Sequence, residues 1–214
     1  MKKNFILFSL LALILMSCGP SIYKTANFND VSSTHKIVAI IPATVSIQLR
    51  PNEMKRTSPE QLEQNEANTG YAIQEQLYGW FLRRSNKYHY TVQFQDVSET
   101  NSILKKSHID YADLRTKSKA ELAKLLGVDA VISTSVRTDK PMSDGAAVAL
   151  GLAFGVWGNT NTAYTTININ EAKKGELMWK YDYEAAGSFG SSPNRLVDAL
   201  MRNASKKFPY NAKG

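Results

Sequence analysis

Ile37, Val38, Ala39, Ile40 and Ile41 form an unbroken apolar run, mostly β-branched, that Pro42 closes. A strand apolar on both sides cannot lie on a sheet with one wet face, so this run predicts a central strand in a sheet covered above and below. The covering layers are legible as amphipathic helices. Ser58 supplies an N-cap, Pro59 a first helical residue and Gln61 a capping-box partner. The helix beyond places Ile73, Leu77, Trp80, Phe81 and Arg84 at helical spacing, an apolar stripe ending in a basic turn. Asp96 with Glu99 and Ser118 with Glu121 offer two further capping boxes, the second opening a helix that Gly127 closes. Ser192 and Pro193 start a last helix with Leu196, Val197, Leu200, Met201 and Ala204 on one stripe, ended by Pro209.

Three more strand regions are expected. Tyr88, Tyr90, Val92 and Phe94 alternate with polar residues, giving the period of a strand with one polar side. Val128 to Val136 follows a helix and a glycine, which implies a crossover onto the sheet. Tyr164 to Asn170 and Leu177 to Glu184 read as a hairpin turning at Lys174 and Gly175, with Trp179, Tyr181 and Tyr183 pointing one way. The predicted fold is α/β: a single sandwich domain over residues 36–214, a mixed β-sheet flanked by helices, in the order β-α-β-α-α-β-β-β-α. Residues 18–35 are polar, mixed and without period, and are expected to be a flexible tether.

Upstream, Lys2 and Lys3 precede the apolar run Phe5 to Met16, too short for a spanning helix of about 20 residues but matching a secretory signal. Leu15, Met16, Ser17 and Cys18 resemble the lipobox of bacterial lipoproteins. The resemblance implies cleavage of residues 1–17 and lipid on the Cys18 thiol. Two or more acyl chains give stable membrane attachment. Gly19, Pro20, Ser21 and Ile22 offer no aspartate after the cysteine, and by the sorting rules of that family this implies the outer membrane. No acid precedes Asp30 to form a surface-export cluster, which favours the periplasmic face. Cys18 is the sole cysteine, so no intramolecular disulfide and no thiolate metal site is expected.

The net charge of +7 loses the two lysines of the signal on cleavage. The remaining basic pairs, Arg83 with Arg84, Lys105 with Lys106 and Lys206 with Lys207, are dispersed and not interleaved with aromatics, so no nucleic-acid surface is predicted. His35, His89 and His108 have no metal-binding spacing, His89 being expected on the polar side of a strand and the others in loops. Asp110 with Asp113, and Asp182 with Glu184, are near in sequence but read as solvated pairs. With no GxSxG elbow, phosphate loop or GxGxxG after a strand, neither an enzyme nor a cofactor is expected.

The segment from Glu121 to Val136, ELAKLLGVDAVISTSV, resembles one shared by envelope lipoproteins whose domain is similar to the amino-terminal domain of TolB. Gly127, Asp129, Ala130 and Val131 carry the likeness, with Gly175, Glu176 and Trp179 in the later hairpin. It covers roughly residues 36–210 in element order. Relatives in that group include a curli-secretion channel lipoprotein, a ring lipoprotein of exopolysaccharide export and an activator of peptidoglycan synthases. The resemblance implies a non-enzymatic accessory or assembly role with an envelope protein partner, or self-association into a homo-oligomer. The bottom-up alternative is a monomeric binding module for cell-wall polymer or a small solute, using Tyr88, Tyr90 and the basic pairs. Asp129 and Trp179 themselves read as structural, the first bonding backbone and the second filling space beneath the last helix.

One stretch stands apart. Gly145 to Gly158, GAAVALGLAFGVWG, has no charge and four glycines, and at 14 residues is too short to span a bilayer as a helix. Three readings stay open: buried packing, an amyloid-like hazard, or contact with a partner or membrane through Leu150, Leu152, Phe154, Val156 and Trp157.

Overall fold

The computed structural model describes residues 20–49, 54–141, 160–186 and 193–212. Cys18 and the segment 145–158 lie outside them. The fold is α/β with one mixed sheet and helices on both sides. In chain order the elements are β1 (Ser21–Lys24), α1 (Phe28–Ser32), β2 (Ile37–Ile40), β3 (Thr44–Ile47), α2 (Pro59–Tyr88), β4 (Gln93–Phe94), α3 (Val97–Lys106), α4 (Asp113–Thr116), α5 (Lys119–Leu126), β5 (Ala130–Pro141), β6 (Thr160–Glu171), β7 (Leu177–Ala186) and α6 (Pro193–Ala204). The sheet order is β1-β7-β6-β5-β2-β4, with β3 alongside β5 beyond β2. β2 and β3 run parallel to β5 and β4 parallel to β2, whereas β5, β6, β7 and β1 are antiparallel neighbours.

The expected caps form as the sequence directs. Ser58 and Gln61 make a reciprocal capping box on α2, and Ser118 and Glu121 make another on α5. Asp96 caps α3 by accepting from the Ser98 N–H, without the reciprocal bond from Glu99 that a full box requires. Gly127 closes α5 at φ +68°, and Gly175 turns the β6–β7 hairpin at φ +73°, both left-handed positions that suit glycine.

The sheet separates two cores. On one side Val38, Ile40, Ile132, Ile167, Ile169, Trp179 and Tyr181 meet Ile73, Leu77 and Phe81 of α2 and Leu196, Val197, Leu200 and Met201 of α6. Burying each such large side chain contributes about 1.5–3 kcal/mol. Phe208 joins this core, with its ring centroid 4.6 Å from Phe81 and 4.9 Å from Tyr90. On the other side Ala39, Ile41 and Val131 are covered by Leu104, Leu114, Leu122 and Leu126 from α3, α4 and α5. The two-sided run at Ile37–Ile41 is thereby covered on both sides, except at Ile37, which stays 40% exposed.

Four expectations are corrected. Residues 21–35, read as a flexible tether, belong to the fold: β1 pairs with β7 from Ser21 opposite Asp182 to Lys24 opposite Trp179, and α1 buries Phe28 against Tyr210 at 5.3 Å. The strand expected at Tyr88–Phe94 shrinks to Gln93–Phe94, because α2 runs on to Tyr88 and His89 caps it at φ 51°. β3 is an addition to the expected order: Pro42 ends β2, and the chain breaks there and resumes along β5 at Thr44 opposite Ser135. The short α4 was likewise missed. The observed order therefore carries additional elements at the N-terminus, after Pro42 and after α3.

The β2–β3 break leaves backbone groups that no strand can serve, and side chains serve them instead. Gln74 Nε2 donates to the Ile40 carbonyl at 2.7 Å and also to Asn101 Oδ1, tying α2, β2 and α3 together. The Ala43 N–H donates to the Gly70 carbonyl at 3.1 Å. The Tyr111 hydroxyl donates to the Ala43 carbonyl at 2.9 Å and accepts from the Val45 N–H at 2.8 Å. Glu66 accepts from the Ile47 N–H at 2.9 Å, and Arg115 bonds both the Val45 carbonyl and Glu66. This explains why α2 buries polar Glu66 and Gln74 among apolar residues.

Candidate functional site

Helices α3, α4 and α5 cover the β2 side of one half of the sheet, and α5 also reaches β5 and β6 beside the hairpin turn, where Ala120 meets Gly175. Across β3, β5, β6, β7 and β1 the remainder carries polar residues, exposed at Ser46, Ser135, Arg137, Tyr164 and Glu184 and buried at Ser133. Strand register arranges them in three rows. Ser46, Arg137, Tyr164 and Glu184 form the first; Thr44, Ser135, Thr166, Asp182 and Ser21 the second; Ser133, Asn168, Lys180 and Tyr23 the third. Two adjoining open clefts of about 540 and 670 Å³ lie over these rows and share Arg137, Tyr164 and Thr166.

Charges here are balanced locally. The Arg137 guanidinium lies 4.9 Å from the Tyr164 ring centroid, a cation–π distance. Lys180 Nζ is 2.9 Å from Asp182 Oδ2, and Thr166 donates to Asp182 Oδ1 at 2.6 Å. The Asn168 Oδ1 is buried without a hydrogen-bond partner. At the rim, Lys119 donates to the Leu114 carbonyl at 2.8 Å, and burial lowers its pKa. Hydroxyls, amides, the Tyr164 and Tyr23 rings and paired charges suit recognition of a polar surface. No histidine lines either cleft, and the carboxylate beside the Thr166 hydroxyl, Asp182, is itself paired with Lys180.

No family model matches this chain, and no curated protein does. Among solved structures, lipoprotein GNA1162 from Neisseria meningitidis is 13% identical, with a TM-score of 0.45, covering 80% of this chain and 99% of that one. The PelC dodecamer from Paraburkholderia phytofirmans is 10% identical, TM-score 0.44, covering 92% and 99%. The LpoB C-terminal domain from Salmonella enterica is 13% identical, TM-score 0.34, covering 75% and 98%. Likeness at this level is not evidence of a shared activity or partner.

The other residues singled out in the sequence have structural placements. Asp129 accepts from the backbone N–H groups of Lys36 at 2.7 Å and Ile37 at 3.0 Å, fixing the start of β2. Trp179 is buried beside Tyr181 and Phe208. Tyr90 is not available to a polymer: its hydroxyl donates to the Ser205 carbonyl at 2.7 Å, and burial pushes its pKa up. Arg83 and Arg84 each lie 5.0 Å from the Trp80 ring centroid, and Trp80 donates to Asp198 on α6. Asp113 accepts from the Asp110 N–H at 2.9 Å, so this pair forms a turn. His35, expected in solvent, is buried with Nδ1 2.7 Å from the Tyr210 hydroxyl; His89 caps α2, and His108 sits at φ 54°. Among the described residues no group of three or more His, Cys, Asp or Glu side chains could hold a metal ion.

Sequence reading found the β6 strand but missed that its polar side stays open. The signal was the alternation of Tyr164, Thr166, Asn168 and Asn170 with Ala163, Thr165, Ile167 and Ile169.

The His35 cluster makes stability pH-dependent. Burial lowers the His35 pKa, against the opposing pull of Asp129 and Glu171, with Lys173 adding to the lowering. Below its ordinary value of 6.5 the unfolded chain takes up a proton that the folded chain refuses, so stability falls as pH drops through that value toward the lower folded one. Burial alone would raise Asp129, but the Ile37 and Lys36 N–H groups outweigh it and hold the carboxyl lower. Its contribution is complete above the ordinary 3.8 and is lost as pH falls through the folded value. Melting temperature is expected to fall between neutral pH and pH 5, with a shallower slope in His35→Asn; equal slopes would rule out His35 as the source.

Proposed function

We propose that the chain is a bacterial lipoprotein, cleaved before Cys18, acylated there, and held on the periplasmic side of the outer membrane. It serves there as a non-enzymatic accessory or assembly subunit of a secretion, export or envelope-biogenesis complex. The carrying observation is the polar, charge-balanced sheet surface centred on Arg137, Tyr164 and Thr166, which suits a protein contact with a wet rim. A second contact is proposed for Leu150, Leu152, Phe154, Val156 and Trp157, which lie in the connection between β5 and β6. The TolB-like resemblance supports the accessory role.

The test is the native mass of acylated protein extracted from membranes in mild detergent. The expected result is a discrete species larger than one chain, reduced by Arg137→Ala with Tyr164→Ala while the circular dichroism of the domain is unchanged. A wild-type monomer would overturn the assembly role. Cys18→Ser is expected to abolish acylation, and persisting lipid label on that variant would overturn the assignment of the anchor.

The same hydroxyl and amide rows, with the exposed Tyr164 ring, favour the second reading, binding of cell-wall polymer. That reading predicts a monomer that co-sediments with peptidoglycan and loses retention on Tyr164→Ala.

A further inference from the structure

β1 brings the fold to within two residues of Cys18. Resting on acylation at Cys18, we infer that the domain docks edge-on against the membrane that holds its lipid, with β1 in the headgroup layer. Cys18 and Pro20 are separated by two peptide units, so their Cα atoms can be no more than about 8 Å apart. Pro20 itself walls the larger cleft together with Ser21, and Ser21 is already hydrogen-bonded into the sheet opposite Asp182. A lipid on Cys18 therefore cannot hang from a slack tether while the sheet is intact.

The surface presented by this edge suits the headgroup layer. Ile22 is 43% exposed and Tyr23 50% exposed, two large side chains on a strand whose other residues are Ser21 and Lys24. Alternation puts Ile22 on one side of the edge and Tyr23 on the other, so both flank the approach. A tyrosine ring has an apolar body and a polar tip; Lys24, on the Ile22 side, brings a cation to phosphate oxygens, while Lys180 on the Tyr23 side is paired with Asp182. The outward backbone groups of β1, which pairs on one side with β7, find donors and acceptors among headgroups and interfacial water. The cleft walled by Pro20 and Ser21 then opens at the membrane surface, and its ligand or partner must be reachable there.

Acylated full-length protein in phosphatidylethanolamine–phosphatidylglycerol vesicles tests this. With the Cys18 thiol consumed by lipid, Tyr23→Cys or Gln93→Cys introduces one labelling site. Position 93 lies on the opposite edge of the sheet, five strand spacings or about 24 Å away. A fluorophore at position 23 is expected to lose most of its emission to a headgroup-attached quencher, and one at position 93 to lose little. Inserting a flexible Gly/Ser linker of about 20 residues between Gly19 and Pro20 should abolish the quenching at position 23 without releasing protein from the vesicles. Equal quenching at both positions in protein that still floats with vesicles would overturn the docking and leave the anchor standing. Failure to float at all would overturn the anchor.

Discussion

Gly70→Ala is expected to lower the melting temperature by roughly 4–12 °C, from a net loss of about 2–3 kcal/mol in a chain of this size. A Cβ at this position would lie 2.2 Å from the Ala43 carbonyl oxygen, 2.8 Å from Tyr111 Cε2 and 3.0 Å from the Tyr111 hydroxyl. The nearest obstacle is backbone, held from both sides: Ala43 donates to the Gly70 carbonyl and accepts from Tyr111. Helix and strand must move apart, straining both bonds. The better helix propensity of alanine returns only about 1 kcal/mol, so the clash wins. Gly79 in the same helix is the control. The nearest atom to a Cβ there is the flexible tip of Arg83 at 3.4 Å, so Gly79→Ala should stabilise by about 0.5–1 kcal/mol. Thermal melts of the two variants should move in opposite directions. If Gly70→Ala also rises, the close approach of α2 to Ala43 is wrong.

The contrast between these glycines shows where sequence reading reached and where it stopped. Caps, stripes and hairpins depend on residues near one another in the chain, and the sequence shows them: Ser58 with Gln61, Ser118 with Glu121, and the α6 stripe from Leu196 to Ala204. Gly70 carries its meaning only against Ala43 and Tyr111, which are far from it in sequence. The same holds for β1, whose four exposed residues have no periodic signal of their own and become a strand only beside β7. The aromatic alternation from Tyr88 to Phe94 misled because its burial belongs to a cluster around Phe81 and Phe208, not to a long strand. The candidate site was half legible. Its β6 row alternates visibly, yet only the register places Arg137 beside Tyr164 and Asp182 beside Thr166. Whether that surface is covered depends on helix placement, which local pattern does not encode.

Tyr111→Phe is expected to cost about 2–4 kcal/mol, because one hydroxyl serves two backbone groups and each buried group left unpaired costs about 1–3 kcal/mol. The Val45 N–H would lose its acceptor and the Ala43 carbonyl its side-chain donor. Water cannot readily replace either bond, since the ring is nearly buried at 8% exposure. Arg115 would keep its bonds to Glu66 and the Val45 carbonyl, so the loss should be confined to the β3 edge rather than spread through α2. Urea titration should therefore show a lower midpoint with the slope unchanged. Tyr71→Phe is the matched comparison: its ring packs 6.2 Å from Tyr111 but is 38% exposed, and the change should stay within about 0.5 kcal/mol. If the two variants unfold at the same midpoint, the phenol does not hold β3. In that case the edge of the sheet that Pro42 interrupts is kept in place by Glu66 and Arg115 alone.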